Sequence, residues 1–268
     1  MDPNQSLITF PAAEGERTAM PTPTVSICVP TYEPVPRQLL ALLESIAAQA
    51  YPGLEVVVCD DASRRSETAT ILAAAPAELT VRFFRNDYNL GMVGNWNQAI
   101  RHARGALIML VDQDDELAPG MIARYEREFA DPGVMLCSGG EVFIGDHGEP
   151  ARRREPVNRR HRIYRHRQRY VLDQGDVIRL SLRNGQGFGE PSGVMFRWEA
   201  WEAVGGYRKT FEHAADIDFN IRLAGLGKAV YLATPFLRRR IHAGNLTRTH
   251  VALGASSRDR LRLHMEYG

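Results

Sequence analysis

The chain has 268 residues, of which 44% are hydrophobic and 24% are charged, and its formal net charge is +1. A chain of this size can bury a core for one or two domains, and its balanced charge lacks the basic excess typical of nucleic-acid-binding proteins. Its three cysteines lie within hydrophobic runs, which predicts buried free thiols rather than disulfides or a metal cluster. Neither a signal-peptide pattern nor a hydrophobic run of ~18–20 residues occurs, so we predict a cytoplasmic protein.

Strands and helices alternate along the first half of the chain. Residues 1–24 show no periodicity and are predicted to form a flexible arm. Short hydrophobic runs then predict strands at residues 25–29, 54–59, 79–84, 106–111 and 133–139. Helical spacing predicts helices between them, at residues 39–50, 68–75, 93–103 and 121–130. Right-handed crossovers of this kind predict an α/β fold with a mostly parallel central sheet flanked by helices.

The alternation stops after Gly140. Residues 151–170 hold nine arginines against one glutamate, and residues 185–193 form a glycine-rich segment that we predict to be a flexible loop. Helices are predicted at residues 173–183 and around 214–227, followed by a short strand at 228–232. We expect this second half to add to the sheet rather than to form an independent domain.

Three polar segments follow predicted strands. Residues 30–34 read PTYEP, residues 60–63 read DDAS, and residues 112–116 read DQDDE. In open α/β sheets, ligands bind outside the carboxyl ends of the strands. The three segments are therefore predicted to lie together at one edge of the sheet, where a ligand would bind.

These segments differ from glycine-rich nucleotide-binding loops. The turn after the first strand has no glycine, no G-x-x-x-x-G-K-[ST] segment occurs, and the glycine-rich segment at 185–193 neither follows a predicted strand nor opens a helix. A diphosphate bound at this edge would instead require a divalent cation, and hard cations prefer oxygen ligands. Asp112 and Asp114 suit such a cation. The alternative is that these acids cap the following helix and favour its dipole.

Several segments taken in order make the prediction more specific: VSICVPTYEP, VVVCDDAS, NLGMVGNWNQAI, ARGALIMLVDQDDELAP, SGVMFRWEAWEAVGGY and ADIDFNIRL, followed by a histidine. Over residues 24–250, their order and spacing resemble the inverting nucleotide-sugar glycosyltransferases of family two, which have the GT-A fold. The resemblance implies metal-assisted transfer of a sugar from a nucleoside-diphosphate sugar to an acceptor hydroxyl. It also implies a nucleotide-sugar-binding half at 25–140, an acceptor-binding and catalytic half at 141–250, and a C-terminal helix or tail at 251–268.

The resemblance assigns the nucleotide to the first loops. Base and ribose contacts fall on Pro30, Thr31, Tyr32, Glu33 and Asp61. The Tyr32 ring would stack on uracil or thymine, which favours UDP or dTDP donors. Asp60 either shares this role or caps the next turn. Asn89, Gly91 and Asn95 either line the nucleotide or form the turn that opens a helix.

The resemblance also assigns the cation. Asp112 and Asp114 would bind Mn²⁺ or Mg²⁺, Asp112 would also touch the nucleotide, and Asp115 would stand behind the pair. His242 would be a third metal ligand, in a tail where Arg238–Arg240 could fold over the diphosphate. The alternative is an exposed histidine on a basic tail.

Asp216 aligns with the general base of the family, which takes the proton from the acceptor hydroxyl. Ala215 stands where the family often has a glutamate, and Asp218 is the competing base. Acids in a first helical turn also favour the helix dipole without any chemistry. Two rival functions follow: a non-catalytic protein that only binds the nucleotide sugar, and a sugar nucleotidyltransferase, although the latter usually has a glycine-rich first loop.

The predicted acceptor is a glycan, a lipid-linked molecule or a small molecule. The basic segment from Arg152 to Arg169 suggests peripheral contact with the inner membrane face, where each basic residue contributes roughly 1 kcal/mol near anionic lipid. The alternatives are acceptor binding and a solvated loop. Tyr164 and Tyr170 lie among these arginines, but the composition as a whole makes nucleic acid an unfavoured partner.

Overall fold

The structure, a computed structural model, describes residues 8–9, 24–65, 67–151, 163–184, 187–241 and 255–268. The first half contains the strands β1 (Ile8–Thr9), β2 (Val25–Thr31), β3 (Leu54–Asp60), β4 (Val81–Arg85), β5 (Leu107–Leu110), β6 (Glu116–Leu117) and β7 (Val134–Ile144). Its helices are α1 (Pro36–Ala47), α2 (Thr68–Leu72), α3 (Met92–Arg101) and α4 (Met121–Glu126), and a 3₁₀ turn at Arg127–Ala130 follows α4.

The second half contains β8 (Arg169–Leu172), α5 (Gln174–Asn184), β9 (Val194–Arg197), α6 (Trp198–Ala203), α7 (Ala215–Ala224), β10 (Lys228–Arg240) and α8 (Ala255–Tyr267). The predicted elements are all present, with ends that shift by a few residues. Two differences matter. Ile8–Thr9 pairs with β4 although no structure was predicted before residue 25. Arg238–Arg240 belong to β10, so the prediction that they form a tail is wrong.

All ten strands form one sheet, in the order β1-β4-β3-β2-β5-β9-β7-β10-β6, with β8 paired to β10. The block β4-β3-β2-β5 is parallel. β9 comes from the second half of the chain and pairs antiparallel with both β5 and β7. β7 therefore closes the alternating series along the chain but does not lie next to β5. The expected α/β fold with a mostly parallel central sheet is confirmed, and its second half extends the same sheet.

Hydrophobic side chains cover both faces of this sheet. Along β2, Val25, Ile27 and Val29 face one core cluster while Cys28 faces the other. Burial on both faces explains why the strands appear in the sequence as continuous hydrophobic runs. The cysteines Cys28, Cys59 and Cys137 are buried and free, as predicted. Among the described helices, none is both long and hydrophobic enough to span a bilayer.

His102 lies at the end of α3, where its ring stacks on Phe84 with the centroids 3.7 Å apart. Burial, and then the positive charges of Arg82 and Arg101, lower the pKa of His102 to about 4. Protonation therefore favours the unfolded chain. The contribution of the neutral ring to stability is present above the ordinary pKa of about 6.5 and is lost as the pH falls from there towards 4.

We expect the substitution His102→Gln to make the free energy of unfolding less sensitive to pH between 7 and 5. Urea unfolding of both proteins across this range gives the two slopes, and His264→Gln is the control because His264 is exposed. Parallel slopes for the wild type and His102→Gln would contradict the assignment.

Candidate active site

The carboxyl ends of β2, β3 and β5 lie side by side, with Thr31 opposite Asp60 and Cys28 opposite Leu110. The three polar segments therefore meet at one edge of the sheet, which is where the sequence predicts the ligand site. The segment after β2 is joined to the segment after β5 through Gln113. Its side chain accepts the N–H of Tyr32 at 2.9 Å and donates to the Tyr32 carbonyl at 3.1 Å.

Gln113, the residue between the two predicted metal-binding aspartates, was not predicted to have a role. Its pairing with the backbone fixes Tyr32, whose ring is 49% exposed and is available for stacking. An amide at a position that varies freely in the D-x-D pattern gives no recognisable signal in a single sequence. The contact joins the segment after β2, predicted to bind the nucleotide, to the segment after β5, predicted to bind the metal.

Glu33 lies in the left-handed region with φ of 47°. Its carboxylate accepts the backbone N–H groups of Arg64 and Arg65 at 2.8 and 3.0 Å. Its own N–H donates to Ser63 Oγ at 2.8 Å. The carboxylate therefore holds the loop after β3, and a ribose contact by Glu33 would compete with these bonds.

Asp60 is fully buried, and its carboxylate accepts bonds from the Ser63 N–H at 2.9 Å, the Ser63 hydroxyl at 2.6 Å and the Thr68 hydroxyl at 2.7 Å. This is the capping alternative considered for Asp60. In Asp61, Oδ1 accepts Asn86 Nδ2 and the Leu90 N–H, each at 2.8 Å. Among the described residues Oδ2 of Asp61 has no hydrogen-bond partner, so Asp61 keeps an oxygen for a ligand.

Asn95 binds the ends of the first two strands to each other. Its side-chain amide donates to the carbonyls of Thr31 at 3.2 Å and Cys59 at 3.0 Å. Asn89 accepts the N–H of Gly91 at 3.0 Å, and Gly91 opens α3 with φ of 73°. The contact between Asn89 and Gly91 is that of a turn that opens a helix, whereas Asn95 joins the ends of β2 and β3.

The acidic segment after β5 places several carboxylates where solvent exposure is limited. Asp112 and Asp114 are partly buried and Asp115 is buried. Burial, followed by the neighbouring Asp114 carboxylate, raises the pKa of Asp112 to about 7. Burial, followed by Asp114 and Asp112, raises the pKa of Asp115 well above its usual range. The free protein therefore holds these carboxylates at an energetic cost that a bound cation would relieve.

Asp115 stands behind the pair, as expected. Its Oδ1 accepts the N–H of Arg240 at 2.9 Å, and its carboxylate also takes the Ser192 hydroxyl. Ser192 Oγ in turn accepts the N–H of Asp112 at 3.1 Å. Asp115 and Ser192 together fix the backbone that presents Asp112.

Arg239 is a partly buried cation whose charge lowers the pKa values of Asp112 and Asp115 and so opposes the effect of burial. Its guanidinium lies 2.8 Å from Glu190 and 3.7 Å from Glu141. Burial lowers the pKa of Arg239, but the carboxylates of Glu190, Glu141, Asp115 and Asp112 together raise it above its ordinary value. Because β10 continues to Arg240, Arg239 lies in the sheet and pairs with β7. The sequence had instead predicted a basic tail for this segment.

The glycine-rich segment brings Glu190 and Ser192 to the site, and neither was predicted. A side chain at Gly187 would clash with the backbone of Leu180, and one at Gly189 would clash with Ser138. These two glycines therefore allow the segment to pack closely against its neighbours. The segment was predicted to be a flexible loop, but its described residues 187–193 are packed against the sheet. The signal available in the sequence was the acid within GEPSG just before a buried strand.

The donor atoms of the site fit a hard cation. Asp112, Asp114 and Glu190 offer oxygen ligands, which Mn²⁺ and Mg²⁺ prefer. Among the described residues, no three His, Cys, Asp or Glu side chains are already arranged as a metal site. His242 lies outside the described residues, so its role as a ligand stays a prediction.

The two candidate bases have different surroundings. Asp218 is fully buried and accepts Arg222 Nε and Nη2 at 2.9 and 2.7 Å, the Tyr267 hydroxyl at 2.7 Å and Arg208 Nη1 at 3.3 Å. The Asp218 carboxylate is therefore occupied by donors from Arg222, Tyr267 and Arg208. Asp216 is 2% exposed and lies in the first turn of α7.

The pKa of Tyr207 is influenced by both Asp216 and the acidic segment. Burial, followed by the charges of Asp216 and Asp112, raises the pKa of the Tyr207 phenol. The two carboxylates therefore act on one side chain, although they are far apart in the sequence.

We expect the substitution Arg222→Met to lower the free energy of unfolding by about 3–5 kcal/mol, because it leaves the buried Asp218 charge without its main partner. Arg208→Met is the matched control. Arg208 is 41% exposed, so its loss should cost less than about 1 kcal/mol. Urea unfolding measures both, and equal losses would show that Asp218 does not depend on Arg222.

With the geometry described, the chain can be compared with known proteins. Residues 26–183 match the family model described as Glycosyl transferase family 2. The chain belongs to glycosyltransferase family 2. An uncharacterised protein of Mycobacterium tuberculosis (strain CDC 1551 / Oshkosh) is 31% identical over 234 residues, covering 85% of this chain and 70% of that protein. The family suggested by the motifs is confirmed, and so is the prediction of an enzyme of the glycosyltransferase class.

Solved structures share the fold of this family 2 glycosyltransferase. The mannosyltransferase PcManGT from Pyrobaculum calidifontis, in complex with GDP-Man and Mn²⁺, has a TM-score of 0.65 at 20% identity and covers 92% of this chain. TarS of S. aureus, in complex with UDP-GlcNAc, has a TM-score of 0.65 at 18% identity and covers 84%. The chain spans 65% and 61% of those two chains, respectively. The predicted GT-A fold is confirmed.

Proposed function

We propose that this glycosyltransferase moves a sugar from a nucleoside-diphosphate sugar to an acceptor hydroxyl with inversion, by metal-assisted direct displacement with Asp216 as the general base. The observation that carries the proposal is the position of two carboxylates: Asp112 follows β5 at the edge where β2 and β3 also end, and the buried Asp216 lies in the first turn of α7. An inverting displacement needs a base on the acceptor side and charge stabilisation on the diphosphate side. Asp216 would be the base, and Asp112 would help to hold the cation that stabilises charge on the diphosphate.

The donor nucleotide binds, in this proposal, over the ends of β2 and β3. The half-exposed ring of Tyr32 stacks on the base, the backbone of Pro30 and Thr31 lines the pocket, and Asp61 contacts the ribose. Uracil or thymine is the favoured base. Glu33, Asp60 and Asn95 act on the nucleotide through the loops that they hold together.

Asp112 and Asp114 would hold Mn²⁺ or Mg²⁺ at the diphosphate, with His242 as a proposed third ligand. When bound, such a cation neutralises phosphate charge and makes the nucleoside diphosphate a better leaving group. Asp216 takes the proton of the acceptor hydroxyl while that oxygen bonds to the anomeric carbon and the bond from that carbon to the diphosphate oxygen breaks. The proton ends on the Asp216 carboxylate and the electron pair on the diphosphate.

Two solved structures of other proteins support these roles. PcManGT binds GDP-Man together with Mn²⁺, and TarS binds UDP-GlcNAc. The second candidate function is a non-catalytic protein that binds a nucleotide sugar, and it is favoured by Ala215, which takes the place of an acidic neighbour of the base. The nucleotidyltransferase alternative has no comparable support, because the first loop has no glycine.

Donor binding and turnover test the proposal in two stages. We expect UDP, dTDP or GDP to raise the melting temperature in the presence of Mn²⁺, because a ligand that binds the native state stabilises it. Release of nucleoside diphosphate from the matching donor is then measured with glycan, lipid-linked and small-molecule acceptors. Equal stabilisation in EDTA would refute the metal role, and binding without release across the panel would favour the non-catalytic candidate.

The basic segment is proposed as the contact for a lipid-linked acceptor or the inner membrane face. Residues 152–162 lie outside the described residues. In the part that follows, Arg165 and Arg167 are exposed, whereas Arg169 is paired with Glu128 at 2.7 Å. Liposome co-sedimentation at low and high salt distinguishes membrane contact from acceptor binding or a solvated loop. Membrane contact through arginines should weaken as salt rises.

A further inference from the structure

The helix α8 lies beyond the part of the chain that matches the family model. It packs against the segment that leads into α7, the helix that carries Asp216. Arg258 pairs with Glu212 at 3.2 Å, Arg208 pairs with Glu266, and Arg262 donates to the carbonyl of Thr210. The contacts thus concentrate on residues 208–214, immediately before the proposed base.

Asp259 is the buried polar residue at the centre of this contact, with 4% exposure. One of its oxygens, Oδ2, accepts the N–H groups of His213 at 2.6 Å and Ala214 at 3.0 Å. Ala214 is the N-cap residue of α7 and makes no side-chain cap bond. The first N–H groups of a helix need acceptors, and a serine or aspartate at the N-cap usually supplies one. Asp259 does not replace that acceptor; from 45 positions later in the chain it instead fixes the backbone of the two residues immediately before the helix.

The same helix also holds α7 on the other side of Asp216. The Tyr267 hydroxyl donates to Asp218 Oδ1 at 2.7 Å. Asp216 therefore lies between one bond network at residues 213–214 and another at Asp218, and α8 contributes to both. A displacement of about 1 Å in a catalytic group can cost ~100-fold in rate, so the placement of this short turn matters for transfer.

We propose that Asp259 and Tyr267 of α8 are positioning residues that set the location of the Asp216 carboxylate. The proposal rests on the role of Asp216 as the base. It differs from simple docking of a terminal helix, because docking alone would make all contacts of α8 equivalent. Positioning makes the two bonds of Asp259 and the bond of Tyr267 matter for the chemical step and not for donor binding.

The test compares Asp259→Ala, Asp259→Asn and Tyr267→Phe in nucleoside diphosphate release from the donor identified by the turnover assay. We expect Asp259→Ala to lower kcat about 10-fold or more while the donor KM and the Kd of the nucleoside diphosphate with Mn²⁺ stay within about 2-fold. Asp259→Asn should recover most of the loss, because its amide oxygen can accept the same two N–H groups. Tyr267→Phe should lower kcat about 3-fold.

Glu212→Gln is the matched control, since it removes an exposed ion pair between the same two segments and should leave kcat within about 2-fold. A folded Asp259→Ala protein with wild-type kcat would overturn the proposal, and so would an Asp259→Asn protein as impaired as Asp259→Ala. If the Asp259→Ala protein fails to bind nucleotide, the proposal is tested by Tyr267→Phe instead. An unchanged kcat in the Tyr267→Phe protein would then overturn the proposal. Failure of the base assignment itself would appear differently, as full turnover by Asp216→Asn.

Discussion

The substitution Asp216→Asn is expected to lower kcat by about 10²–10⁴-fold, the contribution typical of a general base, and to leave the Kd of the nucleoside diphosphate with Mn²⁺ unchanged. Asparagine has nearly the shape of aspartate but cannot accept the proton of the acceptor hydroxyl. The proposed donor contacts are at the ends of β2, β3 and β5, so donor binding should not depend on this charge. Steady-state release of nucleoside diphosphate and calorimetric binding measure the two parts separately.

The control for this experiment is Asp176→Asn. Asp176 also lies in the first turn of a helix, α5, but its partner there is Arg179 at 2.7 Å. Both substitutions remove a charge that favours a helix dipole, which is worth about 0.3–1 kcal/mol. If the two variants lose activity equally, the effect comes from the helix. If Asp216→Asn keeps wild-type turnover, the base is another residue.

The second large effect is expected at Asp114. We expect Asp114→Ala to weaken Mn²⁺-dependent binding of the nucleoside diphosphate by about 100-fold or more, because loss of even an indirect partner of a metal often costs 10–100-fold. The substitution removes only the carboxylate. The Asp114 carbonyl, which accepts Arg240 Nε at 2.8 Å, remains and keeps the segment attached to β10.

Asp87→Ala serves as the control for Asp114→Ala, since Asp87 is an exposed carboxylate shortly before the turn that opens α3. Calorimetry with Mn²⁺ present and with EDTA gives the metal-dependent part of the binding. Removing the acid also reduces the repulsion within the site, so the metal-free variant should be at least as stable as the wild type. Unchanged binding by Asp114→Ala would place the cation elsewhere.

The fold was predictable where local pattern controls it. Strands buried on both faces leave continuous hydrophobic runs, and the helices between them show their buried faces at helical spacing, as Leu39, Leu42, Leu43 and Ile46 do in α1. The position of β9 was not predictable. Its pairing with β5 and β7 joins residues far apart in the chain, and nothing within VMFR specifies its neighbours.

The candidate site was predictable as a location but less so as a set of contacts. The acids that follow β2, β3 and β5 were expected at one edge because parallel strands end together. Whether an acid meets a ligand or a backbone N–H depends on the loops, which is why Glu33 and Asp60 turn out to hold turns. Glu190 was missed and Arg239 was assigned to a tail, because each reaches the site from an element whose extent or packing the sequence leaves open.

The strand β9 has a consequence for engineering acceptor specificity. A natural junction for exchanging acceptor modules between relatives would be near residue 140, where the alternating pattern stops. A graft at that point replaces β9 by the corresponding strand of the other parent, and a poor fit would leave the facing edges of β5 and β7 with unpaired backbone groups, which invites aggregation. Chimeras that retain residues 187–203 from the donor-side parent would keep the sheet closed, so the modular boundary in space does not coincide with a single point in the chain.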